Sequence, residues 1–170
     1  MANFDIMCFL EYYADRSSLV DGSGNRTPTR QWQNFFQAPQ TLAVDSKATG
    51  EYAYLPFEIS GFGSTEAKQI NDLTVNVAAY ADIVDISEQA VGSDNFVLAG
   101  LYIQPPGLDS FDASSAQLIA RYAGSIEGVA STDSAIDWTI NPAISKIDAQ
   151  VPSKKITSGM TQTPLFTGYA

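Results

Sequence analysis

The side chains that most often carry out catalysis are scarce in this sequence. Histidine is absent from its 170 residues, and Cys8 is the single cysteine. Without histidine the chain cannot build a Ser-His-Asp triad or a Cys-His pair, and it lacks the commonest metal ligand. No lysine follows a serine by three positions, so the Ser-x-x-Lys arrangement is missing too. These omissions exclude most hydrolases that use an activated nucleophile.

Carboxylates are the remaining groups that could transfer protons. Asp82 and Asp85, and likewise Asp109 and Asp112, are pairs spaced by three residues, and a glycosidase needs two such acids. Because the chain has 19 acidic residues, this spacing is ordinary, and we interpret both pairs as solvated surface. The sequence therefore predicts no enzyme activity, no catalytic residue, no cofactor and no metal site.

Residues 21–25 (Asp-Gly-Ser-Gly-Asn) begin like a calcium-binding loop, with oxygen-bearing side chains at alternate positions. The sixth position is Arg26 where such loops have glycine, and the twelfth is Trp32 where they have glutamate. We therefore interpret this segment as the tip of a hairpin.

Most of the chain has the composition of β-strands. Six segments combine aromatic or β-branched residues with bounding turn residues, namely 4–13, 51–59, 73–77, 95–104, 117–129 and 134–140. In the first of them the apolar residues that share one face are Phe4, Ile6, Cys8, Leu10 and Tyr12. Only residues 78–91 have a period of three to four, which predicts one helix ending at Gly92. We expect a mainly β fold, a β-sandwich or barrel of about seven strands with one covering helix.

The length predicts one domain, residues 1–156, which has a long loop at 16–40 and is followed by an extended C-terminal arm at 157–170. The loop is rich in glycine and proline but also contains three large aromatic residues. We expect it either to contact a neighbouring subunit or to fold back onto its own domain. Under the first alternative, deleting residues 22–40 leaves a folded domain that fails to assemble. No apolar run is long enough to predict a membrane segment.

Charge is distributed unevenly along the chain. The net charge is -10, and residues 72–137 contribute ten acids against Arg121 alone. An acidic chain of this kind is not expected to bind nucleic acid specifically. The acids taken as candidates for a shared acidic surface are Asp82, Asp85, Glu88, Asp94, Asp109 and Asp112. The candidate contacts between subunits, chosen as arginine and aromatic residues in the loop and the arm, are Arg26, Arg30, Trp32, Phe35, Phe36, Phe166 and Tyr169.

Two segments resemble a known family. Residues 52–62 (Tyr-Ala-Tyr-Leu-Pro-Phe-Glu-Ile-Ser-Gly-Phe) and 73–77 (Leu-Thr-Val-Asn-Val) are similar to minor tail proteins of tailed bacteriophages, of the L-type found at the lambda tail tip. The helix, the strand at 96–103 and the run at 122–129 follow in the order that the family has. Unlike the lambda-type protein, this chain has no cysteine-rich region, so no iron-sulfur cluster is expected.

The resemblance implies a tail-tube-like ring subunit. It would form a homo-oligomeric trimer or hexamer at the distal end of a virion tail, made in the host cytoplasm, and would join the tail tube to hub, baseplate or fibre proteins. The acidic residues would then line a lumen through which DNA passes without sticking. The alternative is a carbohydrate-binding or receptor-binding β-sandwich module, with Trp32, Phe35, Phe36 or Trp138 as stacking platforms.

Overall fold

One curled β-sheet dominates the computed structural model, which describes residues 3–61 and 72–142. Its strands are β1 (Asp5–Tyr13), β2 (Arg30–Gln33), β3 (Ala53–Tyr54), β4 (Phe57–Ser60), β5 (Leu73–Ala78), β6 (Phe96–Gln104), β7 (Gln117–Ser131) and β8 (Ala135–Pro142), and one helix, α1 (Ala81–Ala90), lies between β5 and β6. The order across the sheet is β3-β2-β1-β6-β7-β8-β5-β4. Neighbouring strands are antiparallel except for β2 and β3. The predicted mainly β fold with one helix is confirmed.

The sheet curls into a half-barrel, and its two edge strands are consecutive in the chain. Only Leu55 and Pro56 separate β3 from β4. Since a residue spans at most about 3.6 Å, the end of β3 and the start of β4 lie within about 11 Å of each other. The chain therefore brings the opposite edges of the sheet together at one corner.

The main hydrophobic core fills the inside of the curl. It takes side chains from strands across the sheet and from α1, among them Leu10, Trp32, Phe57, Val75, Ile83, Val97, Ile126 and Trp138. The indole N–H of Trp138 donates to Ser87 Oγ at 2.7 Å, and the Ser87 hydroxyl donates to the Ile83 carbonyl oxygen at 2.6 Å. These bonds satisfy the buried polar atoms that join α1 to β8. The one helix of the predicted fold thus packs on the main core beside β7 and β8.

The first strand is buried on both of its faces, which the alternation did not predict. Cys8, Leu10 and Tyr12 face the main core, but Phe4 and Ile6 are 52% and 61% exposed. The opposite face belongs to a second cluster, formed by Met7, Phe9, Phe36, Leu42, Tyr52 and Tyr102. The predicted core face is thus wrong for Phe4 and Ile6, because Phe4 precedes β1 and Ile6 borders an open recess beside this strand.

The predicted loop at 16–40 contains a strand and part of both cores. β2 pairs with β1 from Phe9 to Tyr12, and the expected hairpin tip is confirmed by the antiparallel bridge between Val20 and Arg26. Asp21 Oδ1 accepts the backbone N–H groups of Ser23 and Asn25 at 2.8 and 2.9 Å, which closes that turn. A deletion of residues 22–40 would remove β2, Trp32 and Phe36, so we now expect the shortened chain to lose its fold.

Two glycines of β7 test how closely this strand packs against β8. A Cβ on Gly124 would overlap the Asn141 carbonyl oxygen and lie 2.8 Å from Ile140 Cγ2, whereas a Cβ on Gly128 would lie 3.4 Å from Thr139 Cβ. We expect Gly124→Ala to lower the free energy of unfolding by about 3 kcal/mol or more, and Gly128→Ala to change it by less than about 1 kcal/mol. Urea unfolding of both variants measures this. Equal effects would contradict the described register of β7 and β8.

Candidate functional site

A buried carboxylate lies on the convex face of β1. Glu11 is 3% exposed, and its two oxygens accept hydrogen bonds of 2.8 Å from Nε and Nη2 of Arg26. The hydroxyl of Tyr13 donates to Oε2 at 2.5 Å, and the hydroxyl of Tyr52 donates to Oε1. Burying an unpaired carboxylate would cost several kcal/mol, so these four donors make the position possible.

Arg26 extends this arrangement to a second carboxylate. Its Nη2 lies 3.0 Å from Asp45 Oδ2, and Nη2 of Arg121 on β7 lies 2.8 Å from the same oxygen. The Thr49 hydroxyl donates to the Arg26 carbonyl oxygen at 2.6 Å. We call Glu11, Arg26, Asp45 and Arg121 the charge network. Arg26 and Asp45 lie between β1 and β3, so the charge network connects that part of the chain to Glu11 on β1 and to Arg121 on β7.

Burial and hydrogen bonds in the charge network shift the pKa of Asp45 and of the two tyrosines that bond to Glu11. Burial and the neighbouring Glu11 carboxylate raise the pKa of Tyr13 and of Tyr52 well above the usual value, so both remain hydrogen-bond donors. Burial opposes ionisation of Asp45, but the hydrogen bonds from Arg26 and the Lys47 backbone N–H outweigh it, and the pKa of Asp45 is lowered. Tyr13 and Tyr52 therefore stay protonated and Asp45 stays charged near neutral pH.

Three of the predicted subunit contacts are turned into their own chain. Arg26 binds Glu11 and Asp45, Trp32 is 5% exposed in the main core, and Phe36 is 6% exposed in the second cluster. Of the two alternatives for the loop, folding back is correct at these residues, because their side chains find partners in β1 and its neighbours. The prediction that these three residues contact a neighbouring subunit is therefore corrected.

The other four candidate subunit contacts are either exposed or outside the described residues. Arg30 and Phe35 are exposed in the same segment, with Phe35 at 39%. Phe166 and Tyr169 lie outside the described residues. Trp138 is fully buried as well, so of the four aromatic residues considered as carbohydrate platforms only Phe35 presents its ring to solvent.

The six candidate acids do not form one surface. Asp82, Asp85 and Glu88 are exposed on α1, and Asp94 lies just before β6, 3.6 Å from Arg16. Asp109 and Asp112 follow the other end of β6, a nine-residue strand and therefore about 30 Å long. Asp112 accepts bonds from Ser114 and Ser115 in that turn. The single acidic surface is thus corrected to two separate groups.

The sequence reasoning missed Glu11 and Asp45. A signal for Glu11 exists, because an acid in the middle of a strand rich in apolar residues requires a buried partner. Asp45 has no such signal, since it lies outside every predicted strand. Burial also raises the pKa of Cys8 to about 12, so this thiol is a packing group.

No arrangement typical of chemistry emerges in the part of the chain that the structure describes. It contains no group of three or more His, Cys, Asp or Glu side chains placed to hold a metal ion. A recess of about 530 Å³ lies between α1 and the β7–β8 hairpin and is lined by Val84, Val91, Val129 and Ile136, with Glu88 and Asp133 among its polar residues. Within the same residues, no helix has the length and apolar character needed to cross a bilayer.

Comparison with known proteins adds no relative. No protein-family model matches the chain, and no curated protein sequence matches it significantly. Function must therefore be argued from the residues and their geometry.

The Arg26–Glu11 pair can be tested by removing the cation. Arg26→Gln leaves the Glu11 carboxylate buried without its main partner, and we expect a loss of about 3–5 kcal/mol in the free energy of unfolding. Arg30→Gln is the matched control, because Arg30 is exposed and donates to the neighbouring Thr29 carbonyl oxygen. Urea titration followed by circular dichroism measures both. Similar small losses in the two variants would contradict the role given to the charge network.

Asp45 makes stability depend on acid pH. Its pKa is lowered in the folded state, so its contribution is complete above the unfolded value near 4 and is lost as the pH falls through the folded value. We expect Asp45→Asn to be less stable than the wild type at pH 7, with the difference shrinking below pH 4. Unfolding midpoints between pH 2 and pH 7 measure this. A difference that stays constant over that range would contradict the ion pairs of Asp45.

Proposed function

We propose that this protein is a structural subunit of a phage virion tail, part of a ring at the distal end that joins the tail tube to hub, baseplate or fibre proteins. One observation carries the proposal. Among the described residues, charged and aromatic side chains between β1 and β3 bind this part of the chain, which we call the outer layer, to the outer face of the half-barrel. These side chains do not line a catalytic cleft. A structural subunit of a ring needs a rigid fold, and it does not need reactive side chains.

The family likeness of residues 52–62 and 73–77 supports the same role. Of these residues, 52–61 and 73–77 are described, and they contain β3, β4 and most of β5, so the likeness falls on strands of the half-barrel.

Ring formation requires contacts between unlike surfaces of neighbouring copies. Arg30 and Phe35 are suited to such a contact, because both are exposed while Trp32 and Phe36 fix the segment that carries them. Arginine and aromatic residues on a rigid segment lose little conformational freedom on binding and are enriched at interfaces.

The acids of α1 suit the inner wall of such a ring. Asp82, Asp85 and Glu88 recur every three residues, so they share one exposed side of the helix, and like charge there repels passing DNA. The helix α1 therefore faces the proposed lumen, and Asp109 and Asp112 are not part of that surface. Its partners are proteins, and its location is the virion after synthesis in the host cytoplasm.

Assembly is the measurable consequence. We expect the full-length chain to form a closed oligomer of three or six copies in light scattering, seen as rings by electron microscopy. Phe35→Ser should shift the mass towards the 18.3 kDa monomer without lowering the unfolding midpoint. Leu108→Ser is the matched control, because Leu108 is 38% exposed against 39% for Phe35 and lies in another loop.

A wild-type chain that stays monomeric at every concentration would contradict the proposal. If that monomer also bound glycans on an array, the carbohydrate-binding alternative would replace it, with Phe35 as its exposed ring.

A further inference from the structure

The half-barrel has a gap between two strand edges. β2 pairs with β1 only as far as Gln33 opposite Phe9, so residues 5–8 of β1 have no strand partner on that side among the described residues. Among the same residues, β4 is the last strand of the sheet, and its edge away from β5 carries the Phe57 carbonyl oxygen, which accepts from Asn34. We call the space between these two edges the strand slot. It has a volume of about 430 Å³ and is lined by Ile6, Met7, Cys8, Asn34, Phe57, Glu58, Ile59 and Leu101.

Asn34 shows how wide the strand slot is. Its Oδ1 accepts the backbone N–H of Cys8 at 2.8 Å, and its Nδ2 donates to the Phe57 carbonyl oxygen at 3.1 Å. The side-chain amide therefore bonds to β1 on one side and to β4 on the other, as one peptide group of an intervening strand would. Two strands that share one intervening strand are about 10 Å apart. At Asn34 the slot has the width of a single strand.

Backbone groups along the slot point into it. The Cys8 N–H bonds to Asn34 and the Tyr12 carbonyl oxygen accepts from the Thr29 N–H, so the even-numbered residues of β1 direct their backbone groups away from β6, and Ile6 follows the same alternation. The Phe57 carbonyl oxygen bonds to Asn34, and the alternation of β4 turns the groups of Ile59 to the same side. The slot thus offers two facing edges to an extended chain.

We propose that the strand slot receives part of residues 151–160 of a neighbouring copy of this chain, centred on Ile156, which adds a short strand between β1 and β4. The inference rests on the proposed ring, and it names the segment that joins each subunit to the next. Adding a strand to free sheet edges is an established mode of peptide recognition.

Charge and alternation favour this segment. The described residues contain 17 acidic and five basic side chains, whereas residues 143–170 contain Lys146, Lys154 and Lys155 against Asp148. In an extended chain Lys155 and Ile156 face opposite sides. With Ile156 towards the core beside Phe57 and Ile59, Lys155 lies on the outer side, where Glu58 is exposed.

The length of the segment allows it to reach another subunit. β8 ends at Pro142, and residues 143–150 span at most about 29 Å when extended. That distance is about twice the separation of about 14 Å between β8 and a strand in the slot of the same chain. The segment therefore has length to spare for the proposed exchange between copies, and trapping distinguishes that exchange from insertion into its own slot.

Disulfide trapping in full-length chains makes that decision. Both chains carry Cys8→Ala; one has Ile6→Cys in the slot and the other has Ile156→Cys. We expect mild oxidation of the mixture to give a disulfide-linked pair at least tenfold more abundant than a control mixture in which Asp82→Cys on α1 replaces Ile6→Cys. Thermal unfolding checks that the substituted chains are folded.

Other trapping results overturn the inference. If a chain with both Ile6→Cys and Ile156→Cys links only to itself, the segment fills its own slot. If the pair forms no more than the Asp82→Cys control, the slot does not bind this segment. Light scattering of the wild type separates the two proposals: a ring without the cross-link removes only this inference, whereas a monomer contradicts the ring itself.

Charge reversal gives an independent readout. We expect Glu58→Lys to lower the oligomer fraction at least threefold, and Lys155→Glu in the same chain to restore it. Asp82→Lys is the control, because that acid lies on α1, outside the residues that line the slot, and Lys155→Glu should not compensate it. Absence of rescue in the Glu58→Lys chain overturns the assignment of Lys155 to the slot.

Discussion

The bidentate pairing of Arg26 with the buried Glu11 carboxylate is the interaction on which the outer half of the molecule depends. Glu11 is in the middle of β1, where an unpaired carboxylate would destabilise the sheet, and its partners come from β1 itself, from the hairpin tip and from the approach to β3. The pairing of Glu11 with Arg26 therefore requires the chain between β1 and β3 to be folded. Loss of one partner leaves a charge in a dry environment, so the network forms together or not at all.

This coupling explains why β1 can be apolar on both faces. The main core covers Leu10 and Tyr12, and the second cluster covers Met7 and Phe9 with aromatic rings, including an edge-on contact between Phe9 and Tyr52 at a centroid distance of 5.0 Å. Tyr52 belongs to both systems, since its ring packs on Phe9 while its hydroxyl binds Glu11. The outer layer covers the outer face of β1 and β6. It leaves only about 10 Å³ of space near Arg26 and Arg121. A site for a small molecule is not available there.

Local pattern was sufficient to predict most of the sheet and the helix, and it failed where distant residues decide the outcome. The period of residues 78–91 predicted α1, which begins at Ala81 and ends at Ala90, because its apolar stripe depends only on neighbouring positions. The short strand β2 has no alternation of its own and exists because β1 offers it an edge. Charge counts along the chain placed six acids together, whereas the nine residues of β6 hold two of them apart from the others.

The gap beside β1 follows from the same chain path that builds the outer layer. Residues 34–52 leave the sheet after β2 to cover the second cluster, so β2 stops at Gln33 and cannot extend along residues 5–8 of β1. Direct pairing of β1 with β4 is prevented because the Asn34 amide stands between them. An edge of this kind differs from the open edge of a flat sheet, where any extended chain can pair. Here a strand must satisfy two edges at once and place an apolar side chain against Phe57 and Ile59, which restricts entry to a single chain of matching register.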